Sequence, residues 1–168
     1  VKTYLMFKPP FMSEADALNH GVRWIEQVAD RSDEISVNPM NIQRGTIIDR
    51  LHRNNEYRPP WLWSLVEMIR RAHPTIHPEG GKNGDADQVC RLIIHPTAGG
   101  KIRGAHNCGA CDSVVVAAIE RYAVSGELEE FEGLSCECEK AWKEEILLEQ
   151  TLPVPLGISK HRRGNVLD

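Results

Sequence analysis

A strand-like run that passes directly into a polar loop and a helix start is the feature that most restricts the fold of this chain. Residues 35–37 (ISV) are of β type, and residues 38–45 (NPMNIQRG) supply amides, a guanidinium group and a glycine where that strand would end. Thr46 and Asp49 then stand in capping-box spacing, so the pattern predicts a helix start. This order is typical of a parallel α/β sheet with a site at its carboxyl edge.

The segment upstream predicts the other half of a β-α-β unit. Residues 3–7 (TYLMF) form a strand pattern, and they are followed by Lys8 and two prolines, which cannot continue a sheet ladder. Ser13 and Asp16 give a second capping-box spacing ahead of an amphipathic helix that ends near Arg31. The two strands would be parallel and end at the same edge. The candidate ligand-binding residues at that edge are Lys8, Asn38, Asn41, Gln43 and Arg44.

These five side chains allow two interpretations. An ammonium group, amides and a guanidinium group suit a ligand that carries a carboxylate and hydroxyl groups. Alternatively, the two asparagines only satisfy backbone groups of the turn and the lysine is solvated.

Another helix, a linker and a strand are predicted next. Residues 57–61 (YRPPW) would begin the helix with proline in its first turn. Residues 73–88 are rich in proline, glycine and polar residues, which indicates a loop, and residues 89–94 form a strand pattern. Two tryptophans at the helix start could stack on bases, although packing is the more common role. Apolar residues recur at i, i+3, i+4 and i+7 and predict the buried face of this helix: Leu62, Leu65, Val66 and Ile69.

Four of the five cysteines stand in two close pairs, which predicts a metal site. Cys108 and Cys111 form a C-x2-C motif in which Gly109 permits a tight turn. Cys136 and Cys138 follow after 24 intervening residues. Four thiolates around Zn²⁺ make a closed structural site, which argues against a zinc hydrolase because no position stays open for water.

The C-x-C spacing of the second pair leaves alternatives open. His106 or Cys90 could replace one of the four ligands. An iron–sulfur cluster could occupy the site, or the cysteines could bind nothing.

Composition and charge restrict the compartment and the partners. A hydrophobic fraction of 41%, no apolar run of membrane-spanning length and no signal peptide predict a cytoplasmic protein without a membrane segment. The net charge of −4 argues against a surface that binds nucleic acid everywhere. A local basic face could still meet RNA phosphates, although surface charge is often only solvated. The arginines that would form it are Arg44, Arg50, Arg53, Arg58, Arg70 and Arg71.

Several segments carry a resemblance to a known family. Residues 38–46 (NPMNIQRGT), a basic helix and residues 57–64 (YRPPWLWS) resemble the late barrel segment of radical S-adenosylmethionine (SAM) proteins related to the catalytic subunit of elongator. Residues 1–18 are similar to the preceding barrel strand and helix of those proteins. Residues 103–112 (RGAHNCGACD) and 136–139 (CECE) resemble their C-terminal cysteine region. Within that group the chain most resembles the archaeal radical SAM subunits of archaeosine synthase.

The resemblance implies an architecture. It is an α/β fold made of the late β/α units of a partial TIM-like radical SAM barrel, with a small C-terminal metal-binding α+β subdomain. The boundaries that we predict are 1–75 for the barrel units, 76–87 for a linker, 88–152 for the cysteine-rich zinc-binding subdomain and 153–168 for a tail.

The resemblance also implies an activity for the intact protein. That activity is conversion of a lysine-modified deazaguanine base in tRNA to archaeosine, with SAM and a [4Fe–4S] cluster as cofactors and the archaeosine synthase transferase subunit as a partner. The five polar residues at the sheet edge would then lie near SAM or the modified base.

One motif of the family is missing from this chain. Radical SAM proteins hold their cluster with a C-x3-C-x2-C loop, and the five cysteines do not include such a triplet. We therefore expect this chain to be the C-terminal part of a longer protein and to be inactive alone. A stand-alone protein that lost its initiator Met ahead of Val1 is the other possibility. The alternative function is a non-catalytic, zinc-stabilised module that binds a protein or RNA.

Overall fold

The computed structural model describes residues 1–78 and 90–152. These residues form three parallel strands and five α-helices, with short 3₁₀ turns at Ala29–Arg31 and Leu128–Phe131. The strand order is β1-β2-β3. None of the described helices is long and apolar enough to cross a membrane. The elements follow in the order β1 (Lys2–Phe7), α1 (Glu14–Val28), β2 (Glu34–Pro39), α2 (Ile47–Arg53), α3 (Leu62–Ile76), β3 (Arg91–Ile94), α4 (Asp112–Ser125) and α5 (Cys138–Thr151).

The predicted β-α-β unit is present, and both α1 within it and α2 after it begin where the capping residues indicated. The hydroxyl of Ser13 accepts a hydrogen bond from the Asp16 amide at 3.0 Å. The hydroxyl of Thr46 accepts one from the Asp49 amide at 3.3 Å. Strands β1 and β2 are parallel and in register to their last residues. The loops that follow them therefore leave the same edge of the sheet.

Helices cover one face of the sheet. On that face Thr3 and Leu5 of β1 are partly exposed, and five further side chains are between 0% and 3% exposed because α1, α3 and α4 pack against them. They are Phe7, Ile35, Val37, Leu92 and Ile94. The predicted apolar face of α3 is buried in the same core, since Leu62, Leu65, Val66 and Ile69 are at most 1% exposed.

The opposite face of the sheet is exposed at β1 and at Asn38, whereas Ser36 of β2 and Ile93 of β3 are only 7% and 8% exposed there. Tyr4 and Met6 of β1 are 67% and 52% exposed. Tyr4 is aligned with Ser36 of β2, which is aligned with Ile93 of β3, so these residues form one row across the sheet. Asn38, which is aligned with Met6, is exposed as well.

The bounds of α3 differ from the prediction at both ends. The helix begins at Leu62, after the two prolines, because a proline favours extended backbone in the residue before it and Trp61 is itself extended (φ −68°, ψ 141°). At the other end it continues through Pro74 to Ile76, where a loop was predicted. The side chain of Ile76 is fully buried. The free energy of this packing offsets the loss of the backbone hydrogen bond that Pro74 cannot donate.

The last strand joins the sheet of the first half. Strand β3 begins at Arg91 and pairs with β2 in parallel, so a strand of the predicted C-terminal subdomain lies in the same sheet as the predicted barrel units. The division of the chain into domains stays a prediction. Most of the predicted linker, the first residue of the predicted strand and the predicted tail lie outside the described residues.

Candidate metal centre

The four cysteines of the two pairs come together. Their Sγ atoms all lie within 4.8 Å of one another. Cys108 lies 4.0 Å from Cys111 and 3.7 Å from Cys136, and Cys111 lies 3.6 Å from Cys138. Four sulfurs at 2.3 Å around a tetrahedral zinc ion stand about 3.8 Å apart. The arrangement could therefore bind a metal ion such as zinc.

The second cysteine of each pair stands at the start of a helix. Cys111 is the N-cap residue of α4, and Cys138 is the first residue of α5. Between the cysteines of the first pair, Gly109 has a φ of +93°, a conformation that favours glycine. Unpaired amides at helix N-termini favour thiolates, so both helix starts suit metal-binding sulfurs.

Neighbouring N–H groups donate to two of the sulfurs. The side-chain amide of Asn107 donates to Cys111 Sγ at 3.3 Å. The indole N–H of Trp63, from α3, donates to Cys138 Sγ at 3.3 Å. Such hydrogen bonds orient thiolates and stabilise their charge. The core helix α3 thus contributes directly to the metal centre.

The buried carboxylate of Asp112 organises the first pair. Its Oδ1 accepts hydrogen bonds from the amides of Asn107 and Gly109, both at 3.1 Å. These bonds run from the first turn of α4 back to the loop before it. Cys111 occupies the N-cap position of α4, so Asp112 is the first residue of the helix and its side chain holds the C-x2-C turn.

The segment between the two pairs is anchored in the core. Phe131 is buried and stacks on Tyr122 of α4, with ring centroids 5.3 Å apart. Arg70 of α3 donates to the carbonyl of Phe131 at 3.2 Å. In α5, the indole N–H of Trp142 donates to Ser64 of α3 at 2.8 Å. The second cysteine pair is therefore positioned by packing against α3 and α4.

The thiols differ in how readily they lose a proton. The backbone amides of Ala110 and Cys111 donate to the sulfur of Cys108 and hold the pKa of that thiol at about 7. Burial raises the pKa of the Cys111 and Cys138 thiols, and the hydrogen bonds that Asn107 and Trp63 donate to these two sulfurs oppose this effect. A bound cation would displace the protons, because the thiolate is the form that binds metal.

The two residues that the sequence left as substitute ligands are not part of the group. Within the described residues, the side chains whose ligand atoms converge are the four cysteines. His106 places Nδ1 at 2.8 Å from the carbonyl of Gly104. Cys90 is buried, at 2% exposure, next to β3.

Lys8, one of the candidate ligand-binding residues, lies in the protein interior. Its Nζ is 2.5 Å from Oε2 of Glu14, and the two side chains are 5% and 0% exposed. The other oxygen of Glu14 accepts from the Trp61 amide at 2.9 Å. The Tyr57 hydroxyl donates to the carbonyl of Lys8 at 2.8 Å. The alternative that Lys8 is solvated is wrong, and its role as a ligand stays a prediction.

The other four candidates lie after β2, and this loop runs beside the end of β1. The Met40 amide donates to the carbonyl of the last residue of β1 at 3.0 Å. Gln43 donates to the side-chain oxygen of Asn41 at 2.7 Å, so these two side chains are in contact. Asn38 makes a long contact of 3.4 Å with the Ser36 carbonyl. Arg44 is exposed.

A charged cluster that the sequence did not reveal holds this loop in place. Asp49, which was read only as a capping residue, accepts from the Gly45 amide at 2.9 Å and from Arg53 and Arg103 at 2.5 Å each. The amide bond comes first among the effects that lower the pKa of Asp49 to about 2, and the two guanidinium groups add to it. The Ile42 amide also donates to the carbonyl of Arg103 at 2.7 Å. The glycine-rich segment before the metal centre, residues 98–104 (AGGKIRG), is therefore bound to the loop after β2.

The two tryptophans at the start of α3 are buried rather than available for stacking. Trp61 is 9% exposed and donates to Glu145 of α5 at 3.0 Å. Arg58 lies over the ring of Trp61, 3.9 Å from its centroid. Trp63 is 4% exposed beside the metal centre. Both side chains therefore serve packing and hydrogen bonding.

Comparison with known proteins finds similar chains among archaeal proteins. The chain is 36% identical over 149 residues to a protein of Methanosarcina acetivorans named archaeosine synthase subunit beta, a match that covers 89% of this chain and 40% of that protein. It is 35% identical over 147 residues to a protein of the same name from Thermococcus kodakarensis, covering 85% and 41%. An uncharacterized protein of Methanocaldococcus jannaschii is 28% identical over 162 residues, covering 94% and 40%.

The relatives are longer than this chain. No protein-family model matches the chain, and no solved structure matches it. The chain spans about 40% of the length of the relatives that it matches. Over most of its own length it is therefore similar to one part of proteins named archaeosine synthase subunit beta.

Proposed function

We propose that this chain is part of a radical SAM protein that forms archaeosine in tRNA. The observation that carries the proposal is the similarity of 85–89% of the chain to two proteins named archaeosine synthase subunit beta. The radical SAM assignment also rests on the resemblance of residues 38–46 and 57–64 to the late barrel segment of that family. The chain would supply late β/α units of the barrel and a zinc-held subdomain.

The residues exposed on the second face of the sheet, at β1 and the end of β2, support a barrel. Parallel sheets are almost always covered on both faces, by helices on the outside and, in a barrel, by side chains of the other strands on the inside. Here helices cover one face, while Tyr4, Met6 and Asn38 are exposed on the other. Further strands that continue the sheet and curve around this face would bury it.

The carboxyl edge of the sheet is where we place the ligand. Asn38, Asn41, Gln43 and Arg44 offer amides and a guanidinium group at that edge, which suit the carboxylate and ribose hydroxyls of SAM. Lys8 lies at the same edge, and its ammonium group would reach a ligand only if its pair with Glu14 opened. We assign no catalytic residue to this chain.

We assign Zn²⁺ to the four cysteines. Three of the S···S distances are 3.6–4.0 Å, which fits one tetrahedral ion. A four-iron cube would hold its thiolates farther apart, so these cysteines do not fit the [4Fe–4S] cluster of a radical SAM protein. In the intact protein that cluster, bound elsewhere, would supply with SAM the radical that starts the reaction. The zinc ion has a structural role, since four thiolates fill its coordination sphere.

The remaining parts of the proposal concern partners and compartment. The relatives are named as a subunit, and we propose that the intact protein works in the cytoplasm with tRNA and with the archaeosine synthase transferase subunit. The transferase would supply the lysine-modified base on which the radical reaction acts.

Product analysis of the intact protein tests the proposal. The protein that contains this chain would be prepared anaerobically and incubated with SAM, a reductant and tRNA that carries the lysine-modified deazaguanine. Digestion and mass spectrometry of the nucleosides should reveal archaeosine. Replacing Asn41 and Gln43 together by alanine should raise the KM for SAM about 5–150-fold, because truncating paired polar contacts costs about 1–3 kcal/mol. The matched control Arg23→Ala, on the exposed side of α1, should leave that KM unchanged.

Two results would contradict the proposal. One is a fully reconstituted protein that consumes SAM without forming archaeosine. The other is RNA binding with no SAM cleavage at all, which would favour the non-catalytic zinc-stabilised module.

A further inference from the structure

Most exposed cations of the described residues have an ion pair or a hydrogen bond with a neighbour. Some are in ion pairs, such as Arg71 with Glu67 at 2.7 Å and Lys143 with Glu139 at 2.6 Å. Others, such as Arg70, donate to a backbone carbonyl. Within the described ranges, the exposed cations whose side chains have neither an ion pair nor a hydrogen bond are Arg23, Arg44, Arg50 and Lys101.

Three of these four free cations belong to two segments that are bound to each other. Arg44 and Arg50 lie in the loop and helix after β2, and Lys101 lies in the glycine-rich turn after β3. Arg103 joins the two segments: its backbone carbonyl accepts from Ile42 at 2.7 Å, and its guanidinium group contacts Asp49 at 2.5 Å. The three free cations therefore lie on two segments that the contacts of Arg103 hold side by side.

The turn that carries Lys101 is rigid. Its Gly104 packs so closely that an added Cβ would lie 2.2 Å from the carbonyl oxygen of Ala98. The Gly104 amide donates to the carbonyl of Lys101 at 2.8 Å, which closes the turn. A side chain presented by such a turn binds with little loss of backbone entropy.

The carboxylate of Asp49, which joins the two segments, is already paired with arginines. Asp49 is 3% exposed and is shared between Arg53 and Arg103, so two guanidinium groups face one negative charge. The only other carboxylate in the two segments is Glu56, just after α2. We define the basic surface as Arg44, Arg50, Arg53, Lys101 and Arg103. It keeps an excess of positive charge in a chain whose net charge is −4.

The basic surface lies next to the proposed ligand site at the carboxyl edge of the sheet. Both segments follow strands at the carboxyl edge of the sheet, and Arg44 directly follows Gln43 in the candidate ligand loop. An anionic polymer that presented one of its units to this edge would pass over the basic surface. Guanidinium and ammonium groups without internal partners are suited to phosphate oxygens.

We propose that the basic surface binds the phosphate backbone of the RNA whose base is presented to the carboxyl edge of the sheet. This inference rests on the proposed function for the identity of the RNA. The competing partner is an acidic protein, because Ile47 and Ile102, 72% and 68% exposed, border the same surface and a protein could cover them. The concentration of unpaired cations favours the phosphate backbone.

The test is the salt dependence of RNA binding by the intact protein that contains this chain. Fluorescence anisotropy with a labelled tRNA transcript would be measured between 50 and 300 mM KCl, and the test variant is R44Q/R50Q/K101Q. Losing three phosphate contacts should reduce the slope of log K against log salt by about 2–3. The matched control is R23Q/K140Q/K143Q, which removes the same charge from α1 and α5, and it should change the slope by less than about one.

Each outcome decides the inference. Equal loss in the two triple variants, with unchanged circular dichroism, would show a general effect of net charge and overturn it. The inference would also be overturned if the wild-type protein bound no tRNA. A third contrary result is that polyglutamate competes as well as RNA and depends equally on Arg44, Arg50 and Lys101. These results are independent of archaeosine formation by the intact protein, so this inference and the proposed function can fail separately.

Discussion

Replacing Cys108 and Cys136 together by serine should release the metal and destabilise the second half of the chain. These residues belong to different pairs and their sulfurs are 3.7 Å apart, so the double variant leaves only one ligand from each pair. Two thiolates bind Zn²⁺ far more weakly than four, because the remaining positions must be filled by water.

The size of the effect follows from the chain that the ion closes. A metal bound by both pairs cross-links the 24 residues between Cys111 and Cys136. The loop-closure entropy of such a cross-link corresponds to about 3.5 kcal/mol of stability when it is treated like a disulfide. For a chain of this length, that loss lowers the melting temperature by about 7–14 °C.

Metal analysis and thermal unfolding would measure the effect together. The wild-type chain should contain one metal ion per molecule, and a chelator should lower its melting temperature to that of the C108S/C136S variant. Cys90→Ser should keep its full metal content, because Cys90 lies outside the group of four. Stoichiometric metal in the double variant, or a wild-type melting temperature that a chelator does not change, would refute the reasoning.

Three further predictions concern single contacts. Trp63→Phe should weaken metal binding about 10–100-fold in a chelator competition, because it removes the N–H that donates to a metal-centre sulfur, whereas Trp142→Phe should not. Glu14→Gln should lower the free energy of unfolding in urea by about 3–5 kcal/mol by leaving the buried Lys8 charge uncompensated, and a second change of Lys8 to Met should recover much of that loss. The pKa of Asp49 is lowered from 3.8 to about 2, so its contribution to stability is complete above about pH 5 and is lost as the pH falls through 3.8 towards 2; in Asp49→Asn the urea midpoint should change less over that range.

Local patterns predicted the first β-α-β unit well. Capping by Ser13 and Thr46 depends on residues three positions away, so the sequence contains all the information that fixes these helix starts. The cysteine pairs were equally informative, because the chemistry of thiolates leaves few other uses for two close pairs in one chain. The structure brings all four sulfurs together, as that interpretation requires.

Contacts between distant segments could not be predicted. The pairing of β3 with β2 depends on how the intervening helices pack, which no short pattern encodes. Glu14 stands between the predicted capping residues Ser13 and Asp16, and the structure buries it fully against Lys8. Asp49 bonds to Arg103, 54 positions further along the chain. In both cases a carboxylate near a helix start has a long-range partner that its neighbours in sequence do not reveal.

The outer side of β1 has a consequence for handling the protein. Within the described sheet β1 is an edge strand, and it presents Tyr4 and Met6 next to backbone groups that no neighbouring strand pairs with. Such an edge is a template for strands of other molecules. When this chain is produced by itself, copies of it should self-associate through β1, and a lysine in place of Met6 should keep them apart.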